Sequence, residues 1–75
     1  MFHLNLKYLR HRRQLSQQLL AEELGIPRTT YSEYEKGNTE PNLRLLTRMS
    51  ELFTISLDQL IREDVSLESL EVFKD

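Results

Sequence analysis

The stretch from residue 17 to residue 36, QQLLAEELGIPRTTYSEYEK, most constrains what this chain can fold into. Its first half places apolar side chains along one face of a helix and ends at Gly25, which can take the left-handed conformation that closes a helix. Pro27 then opens a second short helical stretch, because proline is favoured at a first helical position. The sequence therefore predicts two short helices joined by a tight turn.

Length and composition limit the chain to one small domain. With 75 residues, of which 39% are hydrophobic and 29% are charged, it can fold around one modest core. It has no cysteine, which excludes disulfides and thiolate metal sites. Because no apolar run is long enough for a membrane span and no signal-peptide pattern occurs, we expect a cytoplasmic protein with no membrane partner.

Charge is distributed unevenly along the chain. Residues 1–28 hold five basic and two acidic residues, a balance of +3, whereas residues 29–75 hold five basic and ten acidic residues, a balance of −5. A protein with a net charge of −2 can still present a basic face to phosphates. Charge alone, however, favours an ordinary solvated surface of mixed sign.

Helical periodicity continues outside the opening stretch, and the alternating pattern of strands is missing, so the predicted fold is all-α. Ser16 and Ser56 are expected to cap the second and fifth helices, and Pro41 is expected to open the fourth. The fourth helix is expected to turn one apolar face inward, formed by Leu43, Leu46, Met49 and Phe53. The five predicted helices cover about residues 5–13, 17–24, 27–36, 41–53 and 57–62.

The segments LSQQLLAEELGI, YSEYEKGNTEPNLRLL and ISLDQLI together resemble the helix-turn-helix domain of Cro and the phage repressors, the Xre-like family of bacterial regulators. The resemblance covers about residues 5–61. It implies a five-helix, lambda-repressor-like DNA-binding domain over residues 1–62, with the helix-turn-helix motif at 17–36. Two departures stand out, Pro27 where the family has serine or threonine and Thr54 where it has glycine or asparagine. Since positive φ is costly for a β-branched residue, we expect the fourth helix to end differently.

The outward face of the third helix is the predicted base-reading surface. An arginine can bind guanine O6 and N7 through two hydrogen bonds, threonine can contact a thymine methyl group, and glutamate can accept from a cytosine amino group. The alternative is a short helix that is polar only because it is exposed. By position and by the resemblance, the predicted base-contacting residues are Arg28, Thr29, Ser32 and Glu33.

The resemblance also places a phosphate contact at Gln17, in the first turn of the second helix, where backbone amides suit an anion. The remaining predicted phosphate contacts lie beside Gln17, at the margin of the third helix, after it and near the start of the fourth. They are Gln18, Thr30, Asn38, Thr39 and Arg44. In the family an arginine of the first helix pairs with the glutamate that closes the third, which implies a structural ion pair between Arg10 and Glu35.

Residues 63–75 form a separate acidic tail, which is predicted to be a short helical extension beginning at Ser66; the alternative is a frayed terminus. Together with the fifth helix, the tail is the predicted dimerisation surface, although the same side chains could pack over the core of their own molecule. These residues are Leu57, Ile61, Val65, Leu67, Leu70 and Phe73.

These features predict a sequence-specific, double-stranded DNA-binding transcriptional repressor that acts as a homodimer on a palindromic operator. The alternative is an antitoxin or an adaptor that uses the same scaffold to bind a protein partner, which the acidic second half and the surplus leucines favour. We expect no cofactor and no metal, because the two histidines lack further convergent ligands. The chain also offers no recognisable set of nucleophile and base, so we expect no enzyme.

Overall fold

Five helices joined by short turns make up residues 1–66, the part of the chain that the computed structural model describes. Since no strand occurs in this range, the all-α, five-helix prediction is confirmed. No helix within it is long and apolar enough to cross a membrane. The helices are α1 (Phe2–Arg12), α2 (Gln17–Leu24), α3 (Arg28–Lys36), α4 (Leu43–Phe53) and α5 (Leu57–Ile61).

Short-range hydrogen bonds fix where most helices begin. The hydroxyls of Ser16 and Ser56 each accept the backbone amide three residues on, at 3.0 Å, as predicted. The predicted start of α4 at Pro41 is wrong, because Asn42 is the N-cap and its Oδ1 accepts the amide of Leu45 at 2.9 Å. Pro27 is likewise the extended N-cap of α3, with ψ 146°, rather than its first helical residue.

The first helix begins three residues earlier than predicted. Phe2 is half-buried and packs against the core, and the amide of Asn5 donates to the carbonyl of Met1 at 3.0 Å, which closes the first turn. At the other end, Arg13 is the C-cap rather than part of the helix. Tertiary packing of Phe2, which the local spacing did not reveal, accounts for the additional turn.

The core lies where the five helices meet. One expected member is missing from it: Leu43 is 67% exposed, because it is the first residue of α4 and lies beyond the edge of the packed interior. The inward face of α4 is instead formed by Met49 and Phe53, with Leu46 half-buried. The buried apolar residues are Leu6, Leu9, Leu20, Ala21, Leu24, Tyr31, Met49, Phe53, Leu60 and Val65.

A buried asparagine ties the end of the described chain to α1. The Nδ2 of Asn5 donates to the carbonyls of Leu60 (2.9 Å) and Glu63 (2.6 Å), and its Oδ1 accepts the amide of Val65 at 3.3 Å. Val65 is 4% exposed and belongs to the core. The predicted boundary between residues 62 and 63 therefore falls inside packed structure.

The assignment of Val65 to a dimer surface is wrong, because its side chain is buried within its own molecule. Of the other predicted dimer contacts, Leu57 is half-buried, and Ile61 is 40% exposed. Leu67, Leu70 and Phe73 lie outside the described residues, as does the predicted helical extension beyond Ser66.

Thr54 ends α4 in the left-handed conformation, with φ 57° and ψ 44°. The expectation that this helix ends differently is therefore wrong, and a β-branched residue occupies a backbone geometry that disfavours it. We expect Thr54→Gly to raise the free energy of unfolding by about 0.5–1 kcal/mol, after allowance for the greater entropy of the unfolded glycine chain.

Urea unfolding followed by circular dichroism measures this change. Thr39→Gly is the matched control. Thr39 is also exposed, but it is not one of the described non-glycine residues with a positive φ, which are Gln14 and Thr54. We expect the control to lose a little stability. Equal shifts at the two threonines would contradict the assignment of backbone strain to Thr54.

Candidate nucleic-acid interface

The turn between α2 and α3 is held from both sides. Gly25 takes φ 72°, and the amide of Ile26 returns to the carbonyl of Ala21 at 3.0 Å, which closes α2. From α4, the guanidinium of Arg48 donates to the carbonyls of Glu23 (3.2 Å) and Leu24 (3.0 Å). Sequence reasoning missed Arg48, because no local pattern links it to a turn more than twenty residues away.

The inward face of α3 is anchored in the domain. Tyr31 is fully buried, Glu35 is 8% exposed and Tyr34 is half-buried. Gly37 ends the helix with φ 78°, and the ring of His3 lies 3.2 Å from the position that a Cβ would take there. A side chain at this position would therefore meet both backbone strain and the His3 ring.

The outward face of α3 forms a shallow depression. The structure brings the four predicted base-contacting residues together there, and it adds Lys36, which the sequence analysis missed. Helical spacing could have found Lys36, since it lies three and four residues after Glu33 and Ser32. The residues that line the depression are Arg28, Thr29, Ser32, Glu33 and Lys36.

Arg10 and Glu35 form a buried ion pair between α1 and α3. Two bonds join them, from Nε to Oε2 at 2.6 Å and from Nη2 to Oε1 at 3.1 Å. Their side chains are only 10% and 4% exposed, respectively. Arg10 also donates to the carbonyl of Leu15 at 2.9 Å, so one guanidinium connects the end of α3 to the segment that precedes α2.

Further donors converge on the same carboxylate. The Tyr31 hydroxyl donates to Oε2, and the Gln17 amide donates to Oε1 at 3.0 Å. Burial by itself would raise the pKa of Glu35, but the hydrogen bonds from Arg10, Tyr31 and Gln17 hold that pKa below its ordinary value. The hydrogen bond to Glu35 raises the pKa of Arg10, while burial and then Glu35 raise that of Tyr31.

The predicted phosphate contacts occupy different surroundings. Gln17 is half-buried and bonded to Glu35, whereas Gln18 is exposed and donates to Glu22 at 2.9 Å. Asn38 donates to the carboxylate of Glu33 at 2.6 Å. Thr30 is half-buried, and Thr39 and Arg44 are exposed.

Comparison with known proteins gives a consistent family. A family model described as helix-turn-helix matches residues 6–60. The chain is 39% identical over its whole length to the uncharacterized HTH-type transcriptional regulator YqaE of Bacillus subtilis, of which it covers 62%. It is 42% identical over 62 residues to the SPbeta prophage-derived uncharacterized HTH-type transcriptional regulator YonR of that organism, a match that covers 83% of this chain and 57% of YonR.

A solved structure also matches. A crystal structure of a transcriptional regulator from Listeria innocua matches 96% of this chain and 73% of that one, with a TM-score of 0.77 and 28% sequence identity. The chain spans about three-fifths of the length of the two Bacillus relatives.

Proposed function

The chain belongs to the Cro- and Xre-type helix-turn-helix family, and on this premise we propose that it binds double-stranded DNA sequence-specifically and regulates transcription. The observation that carries the proposal is the depression on α3, where Arg28, Thr29 and Glu33 lie together on a helix whose other face is buried. A helix held in this way can enter the major groove without rearrangement.

The outward-facing side chains of α3 suit base edges. Arg28 would bind a guanine through two hydrogen bonds, and Thr29 would contact a neighbouring base through its hydroxyl or methyl group. Glu33 would accept from a cytosine amino group, with Asn38 holding its carboxylate at 2.6 Å. Ser32 would add a hydroxyl to the same surface.

Phosphate contacts would hold α3 in register with the groove. At one side the first turn of α2 offers backbone amides and the side chains of Gln17 and Gln18. At the other side the loop after α3 and the start of α4 offer Thr39, Asn38 and Arg44, with Thr30 at the margin of α3 itself.

We further propose that the protein represses transcription as a homodimer. Two copies would place their α3 helices about 34 Å apart on successive major grooves of a palindromic operator. Bound there, a dimer would occupy DNA that other proteins need in order to start transcription. Ile61, which is 40% exposed on α5, and Leu57 beside it would contribute to the contact between copies.

A gel-shift titration on duplexes selected from random DNA tests the proposal. We expect retarded complexes whose affinity falls about tenfold between 50 and 200 mM salt, because Arg44 of each of two copies would neutralise one phosphate and release its counterion. Sedimentation of the complex measures stoichiometry, and two chains per duplex are expected. A monomer both free and on DNA would contradict the dimer. Absence of any DNA complex would overturn the proposed function and favour the adaptor alternative.

A further inference from the structure

The carboxylate of Glu35 links the ion pair to the first residue of α2. Its Oε2 accepts from Arg10 Nε at 2.6 Å and from the Tyr31 hydroxyl, and its Oε1 accepts from Arg10 Nη2 at 3.1 Å and from Gln17 Nε2 at 3.0 Å. The carboxylate therefore accepts four hydrogen bonds. Gln17, which sequence reasoning assigned to DNA alone, is one of the donors.

The orientation of the Gln17 amide follows from this arrangement. A charged carboxylate only accepts hydrogen bonds, so the nitrogen of the Gln17 amide, and not its oxygen, must face Oε1. An amide nitrogen carries two hydrogens, and the bond to Glu35 uses one of them. The second points away from Glu35 at about 120°, the angle of a planar amide. This second hydrogen lies at the start of α2, where the backbone amides of the first turn have no partner within the helix.

Charge balance matters equally at this point. A lone carboxylate beside the first turn of α2 would repel a DNA phosphate, but the guanidinium of Arg10 lies against both of its oxygens. The pair is neutral as a whole. Gln17 thus has a rigid acceptor behind it without a net negative charge near the proposed phosphate site.

We propose that Glu35 is a positioning residue for DNA binding, which holds the Gln17 side chain so that its second N–H donates to one backbone phosphate. The inference rests on the proposed function and adds to it a buried residue that does not touch DNA. Because the amide is already fixed in the free protein, binding loses less side-chain freedom than it would with a mobile glutamine.

Replacing the ion pair by apolar residues, Arg10→Met with Glu35→Leu, tests the inference. The double substitution leaves the net charge unchanged, and such replacements of buried pairs are often tolerated. The effect of Gln17→Ala on the affinity for a duplex selected from random DNA is measured in the natural protein and in the protein with the replaced pair. Circular dichroism checks that each variant is folded. We expect Gln17→Ala to weaken binding about tenfold in the natural background and less than twofold in the replaced one. Gln18→Ala is the matched control, and its effect is expected to be the same in both.

Duplexes with a single uncharged methylphosphonate provide a readout that a purely structural role would not change. Wild type is expected to lose affinity when one particular phosphate is replaced, and both Gln17→Ala and the replaced pair are expected to be insensitive at that phosphate. Equal effects of Gln17→Ala in the two backgrounds would overturn the inference while DNA binding, and with it the proposed function, stands. Absence of DNA binding by wild type would overturn both. If the replaced pair does not fold, the alternative apolar pair Arg10→Leu with Glu35→Met takes its place in the same comparison, because it also removes the acceptor of the Gln17 amide without changing the net charge.

Discussion

Replacement of Arg10 by alanine is expected to lower the free energy of unfolding by about 3 kcal/mol, because it leaves a buried carboxylate without its charged partner. Glu35 would keep its bonds from Tyr31 and Gln17 but lose two from the guanidinium. For a domain of this size, we expect the midpoint of thermal unfolding to fall by about 15 °C. Urea and thermal unfolding followed by circular dichroism measure the two quantities.

The double-mutant cycle separates the pair from its surroundings. Glu35→Ala is expected to be about as damaging as Arg10→Ala, and the double variant should cost much less than the sum of the two. The exposed pair of Arg62 and Asp58, with 3.7 Å between its charged atoms and side chains 78% and 73% exposed, supplies the control. Arg62→Ala should change stability little. Additive losses at Arg10 and Glu35 would contradict a coupled pair.

The pH dependence of stability offers a second test of the same ion pair. Because the folded-state pKa of Glu35 lies below its unfolded value, the pair stabilises the fold above the unfolded pKa. That contribution is lost as the pH falls through the lowered, folded pKa. The difference in stability between wild type and Arg10→Ala should therefore shrink in acid, provided the other carboxylates titrate alike in both.

Local sequence determined much of the fold. Ser16, Gly25 and Ser56 act over three or four residues, so their roles at helix ends could be predicted from spacing and residue type. Val65 could not, because its burial depends on Asn5, sixty residues away in the chain. The prediction that Leu43 is buried is wrong for a related reason. Helical spacing predicts which way a side chain points, but not where along the helix the core ends.

The candidate site divides in the same way. Residues of the α3 surface could be found from helical periodicity, because one short helix carries all of them. The hydrogen bonds that reach α3 from other parts of the chain could not: Asn38 bonds to Glu33 from the following loop, and Gln17 bonds to the buried Glu35 from α2. Both amides were predicted from the sequence to contact phosphate, and each also has a partner within the protein that helical periodicity does not reveal.

The largest expected effect on recognition follows from Arg28. This residue is exposed at the first turn of α3 and lines the depression with Thr29 and Glu33, so its loss should leave stability almost unchanged. We expect Arg28→Ala to weaken binding to the selected duplex by about 10- to 100-fold, because one bidentate contact to guanine contributes about 1–3 kcal/mol of discrimination. The preference for guanine should relax at one base pair in each half-site and persist elsewhere.

Arg44→Ala distinguishes base reading from electrostatic attraction. Because Arg44 is a proposed phosphate contact, Arg44→Ala should weaken binding to all sequences by a similar factor. It should also reduce the salt slope by about one for each phosphate that is no longer neutralised. Competitive binding to a panel of single-base variants of the selected duplex measures both proteins in one experiment. If Arg28→Ala weakened every duplex equally, Arg28 would be a phosphate contact, and base preference would have to come from Thr29, Ser32 and Glu33. A narrow change at one base pair would instead make the first turn of α3 the part of the protein that reads the operator.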